Sequence, residues 1–138
     1  MKQTVITLLA LVLCVSLFAC GGVQSSGSLW DTALYTKDTT LGDGAKTLTV
    51  RVTAEEKSVT FTLHTDAETV GEALMEHRLV AGEKSVYGLY IKAVNGMTAD
   101  YNKTQTYWSF EKDGEQMPTG VDGEKFNDGD SYELVHTK

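Results

Sequence analysis

Two stretches of strict alternation constrain the fold of this chain more than any other feature of it. Across residues 47–53, Leu48, Val50 and Val52 fall on one side and Thr47, Thr49, Arg51 and Thr53 on the other. Residues 58–64 repeat the pattern, with Val59, Phe61 and Leu63 set against Thr60, Thr62 and His64. A period of two carried by β-branched residues builds a strand with one buried face. The polar Ala54-Glu55-Glu56-Lys57 between them is a short connection, so the pair predicts a β-hairpin.

The period then changes. Thr69-Val70-Gly71-Glu72 has the spacing of a capping box, in which the threonine hydroxyl and the glutamate carboxylate accept from free amides at a helix start. Val70, Ala73, Leu74 and His77 follow at helical spacing, which predicts a helix to about Leu79 with Gly82 as its stop. Further strands are expected at 88–94, 107–112 and 132–137, bounded by Asn95-Gly96, Asp113-Gly114 and Asn127-Asp128-Gly129-Asp130. Residues 29–35 are expected to add an edge strand. A hairpin, one helix and then several strands imply an α+β, β-grasp-like fold, a mixed sheet with one helix packed across it.

Upstream of this domain the chain has a different character. Lys2 supplies one positive charge, and residues 5–19 are almost wholly apolar, broken by Thr7, Cys14 and Ser16. That is the length of a signal-peptide apolar region and short of the about 20 residues a membrane span needs. It ends at Leu17-Phe18-Ala19-Cys20. This tetrapeptide resembles the lipobox of bacterial lipoproteins, which implies a signal peptide over 1–19, cleavage before Cys20, and lipidation of the Cys20 thiol. Two acyl chains on Cys20, at about 0.8 kcal/mol per buried methylene, would hold the protein on the membrane. Residues 20–28, rich in glycine and serine, form a flexible tether with a reach of about 15 Å. The expected location is the extracytoplasmic face of a cell membrane.

Cys14 and Cys20 are the two cysteines. The first leaves with the signal and the second carries lipid, so the domain is expected to stand on its apolar core without a disulfide. Removing residues 1–19 takes Lys2 from the 12 basic side chains and leaves 19 acidic ones opposed by 11, a formal charge of −8. With no basic stretch, nucleic acid is a poor partner.

Thr69-Val70-Gly71-Glu72-Ala73-Leu74, Tyr87-Gly88-Leu89-Tyr90-Ile91 and Val94-Asn95-Gly96 occur in that order. Tyr107-Trp108, Gly120, and Asp128-Gly129-Asp130 with Glu133-Leu134 follow. The ordered set resembles the C-terminal β-domain of transcobalamin and intrinsic factor, as found in a large bacterial family of uncharacterised lipoproteins. The resemblance implies a transcobalamin C-terminal-like domain over 29–138 with a β-grasp fold. It also implies a corrinoid as ligand, or another large planar molecule. Vertebrate members clasp cobalamin between this domain and a large helical one, and no such helical region is present in this sequence.

The chemistry concentrates between Tyr87 and Phe110, where Tyr87, Tyr90, Tyr101, Tyr107, Trp108 and Phe110 cluster in sequence. Tyrosine and tryptophan combine flat apolar area with a polar tip, which suits a planar ligand or a sugar ring. The expected ligand-binding set is Tyr87, Tyr90, Tyr101, Tyr107 and Trp108, with Gly120 and Val121 from the loop that the resemblance turns toward the ligand. Alternation puts Trp108 and Phe110 on one face and Tyr107 and Ser109 on the other; one face must be core, and Trp108 is open to either role.

His64, His77 and His136 share no metal-ligand spacing, and no metal site is expected. Asp122, Asn127, Asp128 and Asp130 do not fit a 12-residue calcium loop and are expected to make turns. With no free cysteine, no nucleophile elbow and no phosphate-cradling glycine motif, an enzyme is not expected. Two functions follow: a ligand-binding lipoprotein, or an envelope protein-interaction module that lends a strand edge to a partner.

Overall fold

The computed structural model describes residues 27–138. The expected signal peptide, Cys20 and residues 20–26 of the tether lie outside them. A 3-10 turn, Leu29–Thr32, opens the described chain. It is followed by β1 (Thr39–Gly42), β2 (Lys46–Ala54), β3 (Lys57–Thr65) and helix α1 (Val70–Glu76). Next come β4 (Val80–Ser85), β5 (Gly88–Val94), β6 (Met97–Thr98) and the short helix α2 (Tyr101–Thr104). The chain ends with β7 (Tyr107–Lys112), β8 (Glu115–Gln116) and β9 (Ser131–Thr137).

The strands form two sheets, a six-stranded one in the order β1-β3-β2-β9-β7-β8 and a three-stranded β4-β5-β6. The predicted hairpin is present, with Leu48 opposite Leu63, Val50 opposite Phe61 and Val52 opposite Val59. The last strand lies parallel beside β2, with Val50 opposite Tyr132 and Val52 opposite Leu134, so one apolar face runs continuously across the sheet. Val70, Ala73 and Leu74 of α1 are buried with that face in one core, and all three are fully shielded.

The single mixed sheet expected from the sequence is therefore two. Part of the reason lies on β7: the outward-facing carbonyl of Phe110 accepts from the Met117 amide at 2.8 Å, so β5 cannot pair there. Residues 29–35 hold the 3-10 turn over Leu29–Thr32 and an irregular stretch after it rather than an edge strand, because Trp30 turns inward and donates its ring N–H to the Ala54 carbonyl at 2.9 Å. The edge strand is β1 instead.

Thr69 caps α1 as expected, its hydroxyl accepting from the Glu72 amide at 3.2 Å. The Glu72 carboxylate accepts from the Glu68 amide, also at 3.2 Å. The helix stops at Glu76, earlier than expected, because the chain turns left-handed at Arg78, φ 57°. Gly82 is no helix stop. It sits where β4 shifts register against β5, and a side chain there would collide with the Tyr90 carbonyl.

The β2–β3 turn holds Glu55 and Glu56 at φ 49° and 66°, left-handed values that such turns usually give to asparagine and glycine. Glu55 is held there by the start of the domain. Its carboxylate accepts from the Ser28 hydroxyl at 2.7 Å and the Leu29 amide at 3.1 Å. These bonds, the Ser28 hydroxyl first, keep the Glu55 carboxyl below its ordinary value. A lowered carboxyl pKa contributes stability above the unfolded value of 4.5, and that contribution is lost as pH falls through the folded value. Acidification is therefore expected to release the Ser28–Leu29 junction before the core unfolds. Protection of the Leu29 amide, its exchange referred to the intrinsic rate at each pH, should fall below the ordinary carboxylate pKa while that of Phe61 is kept; a parallel fall at both would exclude a local clasp.

Candidate ligand groove

A groove of about 250 Å³ lies between the two sheets. Leu89, Tyr90 and Ile91 of β5 form one wall, and Tyr107, Trp108 and Phe110 of β7 form the other. The loop from Gln116 to Val121 closes one side. Tyr90, Tyr107, Trp108, Gly120 and Val121, named from the sequence, are thus brought together. Tyr87 and Tyr101 are not. Tyr87 stands at the apex of the β4–β5 turn, 95% exposed beside Val86 at 93%, and Tyr101 opens α2 away from this groove.

Trp108 is a core residue that also borders the groove. It is 6% exposed, and its ring N–H donates to the Met97 carbonyl at 3.1 Å, which is core behaviour. The ring edge meets His136 at 5.3 Å. Burial holds the His136 imidazole below its ordinary pKa, so the ring beside Trp108 is neutral at physiological pH. The remaining surface of Trp108 is groove wall. Phe110 stacks on Tyr132 at 5.3 Å, and the Tyr132 hydroxyl donates to Glu124 at 3.1 Å. Burial, reinforced by Glu124, pushes the Tyr132 phenol far above its ordinary range and keeps it protonated.

The loop is fastened on both sides. The Gly71 amide at the start of α1 donates to the Val121 carbonyl at 2.8 Å, and the Val70 amide donates to the Glu124 carbonyl at 2.9 Å. A side chain on Gly71 would lie 2.9 Å from the Asp122 Cα, so glycine permits this approach. Across the groove, Asp122 Oδ2 accepts from the Leu89 amide at 3.0 Å. Asp130 accepts from the Asn127 amide at 2.9 Å, the turn role expected of it, while Asp128 reaches beyond its own turn and accepts from the Thr47 amide at 2.7 Å.

The β7 edge facing the groove also carries main-chain groups. Alternate residues of an antiparallel strand direct their N–H and C=O to the same edge. Since the Phe110 carbonyl points to Met117, the Trp108 amide and carbonyl point toward the groove. The site thus offers aromatic and aliphatic walls with a few fixed polar groups, the usual composition of a small-molecule site.

Sequence reasoning missed Leu89, Ile91 and Met117 as wall residues. Leu89 and Ile91 carried an alternation signal that spoke only of burial; Met117 carried none. Among the described residues, no group of three or more histidine, cysteine, aspartate or glutamate side chains is placed to hold a metal ion. Nor is any helix there long and apolar enough to cross a membrane.

Comparison with solved structures finds the same architecture elsewhere. A protein of Ruminococcus gnavus ATCC 29149, provisionally described as metal-binding, is 39% identical with a TM-score of 0.64. The match covers 68% of this chain and 98% of that one. Haptocorrin, solved in complex with Cbi, is 19% identical with a TM-score of 0.51, a likeness of fold. That match covers 71% of this chain, which spans 26% of haptocorrin. No curated protein matches. Residues 67–134 match the family described as Domain of unknown function (DUF4430). Aligned over nearly the whole of a relative at 39% identity, the chain belongs to the same family as the Ruminococcus gnavus protein.

Proposed function

We propose that this chain is an extracytoplasmic binding lipoprotein, anchored through Cys20, whose β-grasp-like domain takes one edge of a large planar ligand, a corrinoid first among them, in the β5–β7 groove. The observation that carries the reading is the convergence of Tyr90, Tyr107, Trp108, Gly120 and Val121 on one fastened groove. The fold shared with haptocorrin, which holds Cbi, supports the choice of ligand class. We read the chain as a binder rather than an enzyme, since the groove is lined by aromatic, aliphatic and amide groups.

Magnitude limits what the groove can do alone. Sites that enclose a drug-sized ligand run to roughly 300–1,000 Å³, and about 250 Å³ takes an edge or a peripheral side chain of a macrocycle. The rest of the ring must lie against a second surface. Binding to the isolated chain is therefore expected to be weak, with Kd of about 10–100 μM. Titration of the full-length chain in phospholipid nanodiscs with cobinamide and cobalamin should give a calorimetric heat and a visible-band shift. No response from either at high micromolar concentration would remove the corrinoid reading.

The alternative, pairing of a strand edge with an envelope protein, has one observation in its favour. β4 is an edge strand exposed from Ala81 onward and leads into a turn that exposes Val86 and Tyr87. The register shift at Ala81/Gly82 weighs against it, since bulged edges resist strand addition. Recovery of one envelope protein by crosslinking through Tyr87 would reinstate this alternative.

A further inference from the structure

A second cleft, of about 340 Å³, lies on the outer face of the three-stranded sheet. Its floor is β4 and β5: Glu83 sits opposite Tyr90 in register, and Lys92 reaches across to Glu83 at 2.9 Å. Its wall is the start of α2, with Asp100, Tyr101 and Asn102. Tyr90 and Tyr101 are 47% and 55% exposed, two large aromatic side chains on an otherwise acidic, polar surface.

The cleft is built before any ligand arrives. Ala99 is buried, and its amide donates to the Lys92 carbonyl at 2.8 Å, tying wall to floor. Asp100 Oδ1 accepts from the Asn102 amide at 3.0 Å, which fixes the first turn of α2. Gln105 then ends the helix in a left-handed conformation, φ 57°. Tyr101 is therefore held on a short, capped element opposite a rigid strand.

We propose that this cleft is a saccharide site for neutral β-linked hexopyranose chains. A pyranose presents an apolar C–H face and a rim of hydroxyls. The two tyrosine rings supply apolar surface for the face, and each phenol adds a polar tip. Glu83 and Asp100 carboxylates accept from adjacent hydroxyls; the Asn102 side-chain amide and the Lys92 ammonium donate to ring and hydroxyl oxygens. Lys92 is already neutralised by Glu83, and Asp100 adds negative charge, so acidic glycans are repelled. Tyr101 and Asn102 do not line the β5–β7 groove, whereas Tyr90 borders both; the Tyr101 and Asn102 variants therefore test this cleft apart from the groove.

The test uses the full-length chain in phospholipid nanodiscs, titrated with cellohexaose, chitohexaose and hexagalacturonate by calorimetry and saturation-transfer NMR. At least one neutral hexamer is expected to bind with Kd in the range of about 0.1–1 mM, and hexagalacturonate not to bind. Tyr101→Ala should weaken that binding about tenfold or more, and Tyr101→Phe by no more than about threefold, because stacking persists. If Tyr101→Ala does not fold, Asn102→Ala at the exposed neighbour serves instead, with an expected loss of about threefold or more. Absence of binding by both neutral hexamers at about 10 mM would overturn the proposal. So would equal binding of the acidic hexamer, or a folded Tyr101→Ala chain that binds as well as the original.

Discussion

Trp108→Ala is expected to lower the unfolding free energy by about 3–5 kcal/mol and to abolish binding in the β5–β7 groove. The cost has three sources. The ring is 6% exposed, so its removal leaves a cavity in the core. The Met97 carbonyl loses its donor, and the edge contact with His136 at 5.3 Å disappears. Trp108→Phe separates these contributions: packing largely survives, the hydrogen bond does not, and a loss of about 1–2 kcal/mol is expected. Urea denaturation measures both. A cost below about 1.5 kcal/mol for the alanine variant would mean that the groove wall is not built from the core, and the site would lose its rigid side.

The second large effect concerns Asn95, which is fully buried. Its side-chain oxygen accepts from the Tyr35 amide at 3.0 Å, and its side-chain nitrogen donates to the Tyr35 carbonyl at 2.8 Å. Its own amide donates to the Leu79 carbonyl at 2.7 Å, while its carbonyl accepts from the Leu34 amide at 2.9 Å. One residue thus joins the segment before β1, the α1–β4 connection and the β5–β6 turn, at a φ of 52°. Asn95→Leu keeps the volume but leaves both Tyr35 main-chain groups unpaired and places a branched apolar residue in a left-handed conformation. The expected loss is about 3–8 kcal/mol, from about 1–3 for each of the two unsatisfied groups and about 1–2 for the backbone. Asn95→Gly removes the backbone penalty and should recover part of it. Equal stability of the leucine variant and the original chain would refute the role of Asn95 as a polar hub.

Asn95 also shows where sequence reading stopped. Asn95-Gly96 was legible as a turn, since both residues tolerate positive φ, but nothing local announces that the asparagine side chain is buried and clamps Tyr35. The strands at 88–94 and 107–112 were legible because one face of each is apolar, and β2 and β3 because their alternation is unbroken. β4 was invisible: in Val80–Ser85 only Val80 is buried, so burial leaves no period in the sequence. The end of α1 was misplaced because the left-handed residue is Arg78, which has no intrinsic preference for that conformation. Within the groove, Tyr107, Trp108, Gly120 and Val121 could be named in advance from chemistry and resemblance. Tyr87 and Tyr101 could not be excluded, because their distance from the others depends on how the small sheet sits beside the large one.

The position of β9 between β2 and β7 has a consequence for how the chain reaches this state. The last strand is an interior member of the large sheet, and residues some 80 positions earlier wait for it: the Thr47 amide meets Asp128 across a separation of 81 residues. Loops of that size close slowly relative to local hairpins. A ribosome delivering the chain from its amino end would release β2 and β3 with one flank bare until β9 emerged. Completion of the large sheet is thereby a late, all-at-once event, and the chain would pass through its most aggregation-prone period just before β9 pairs.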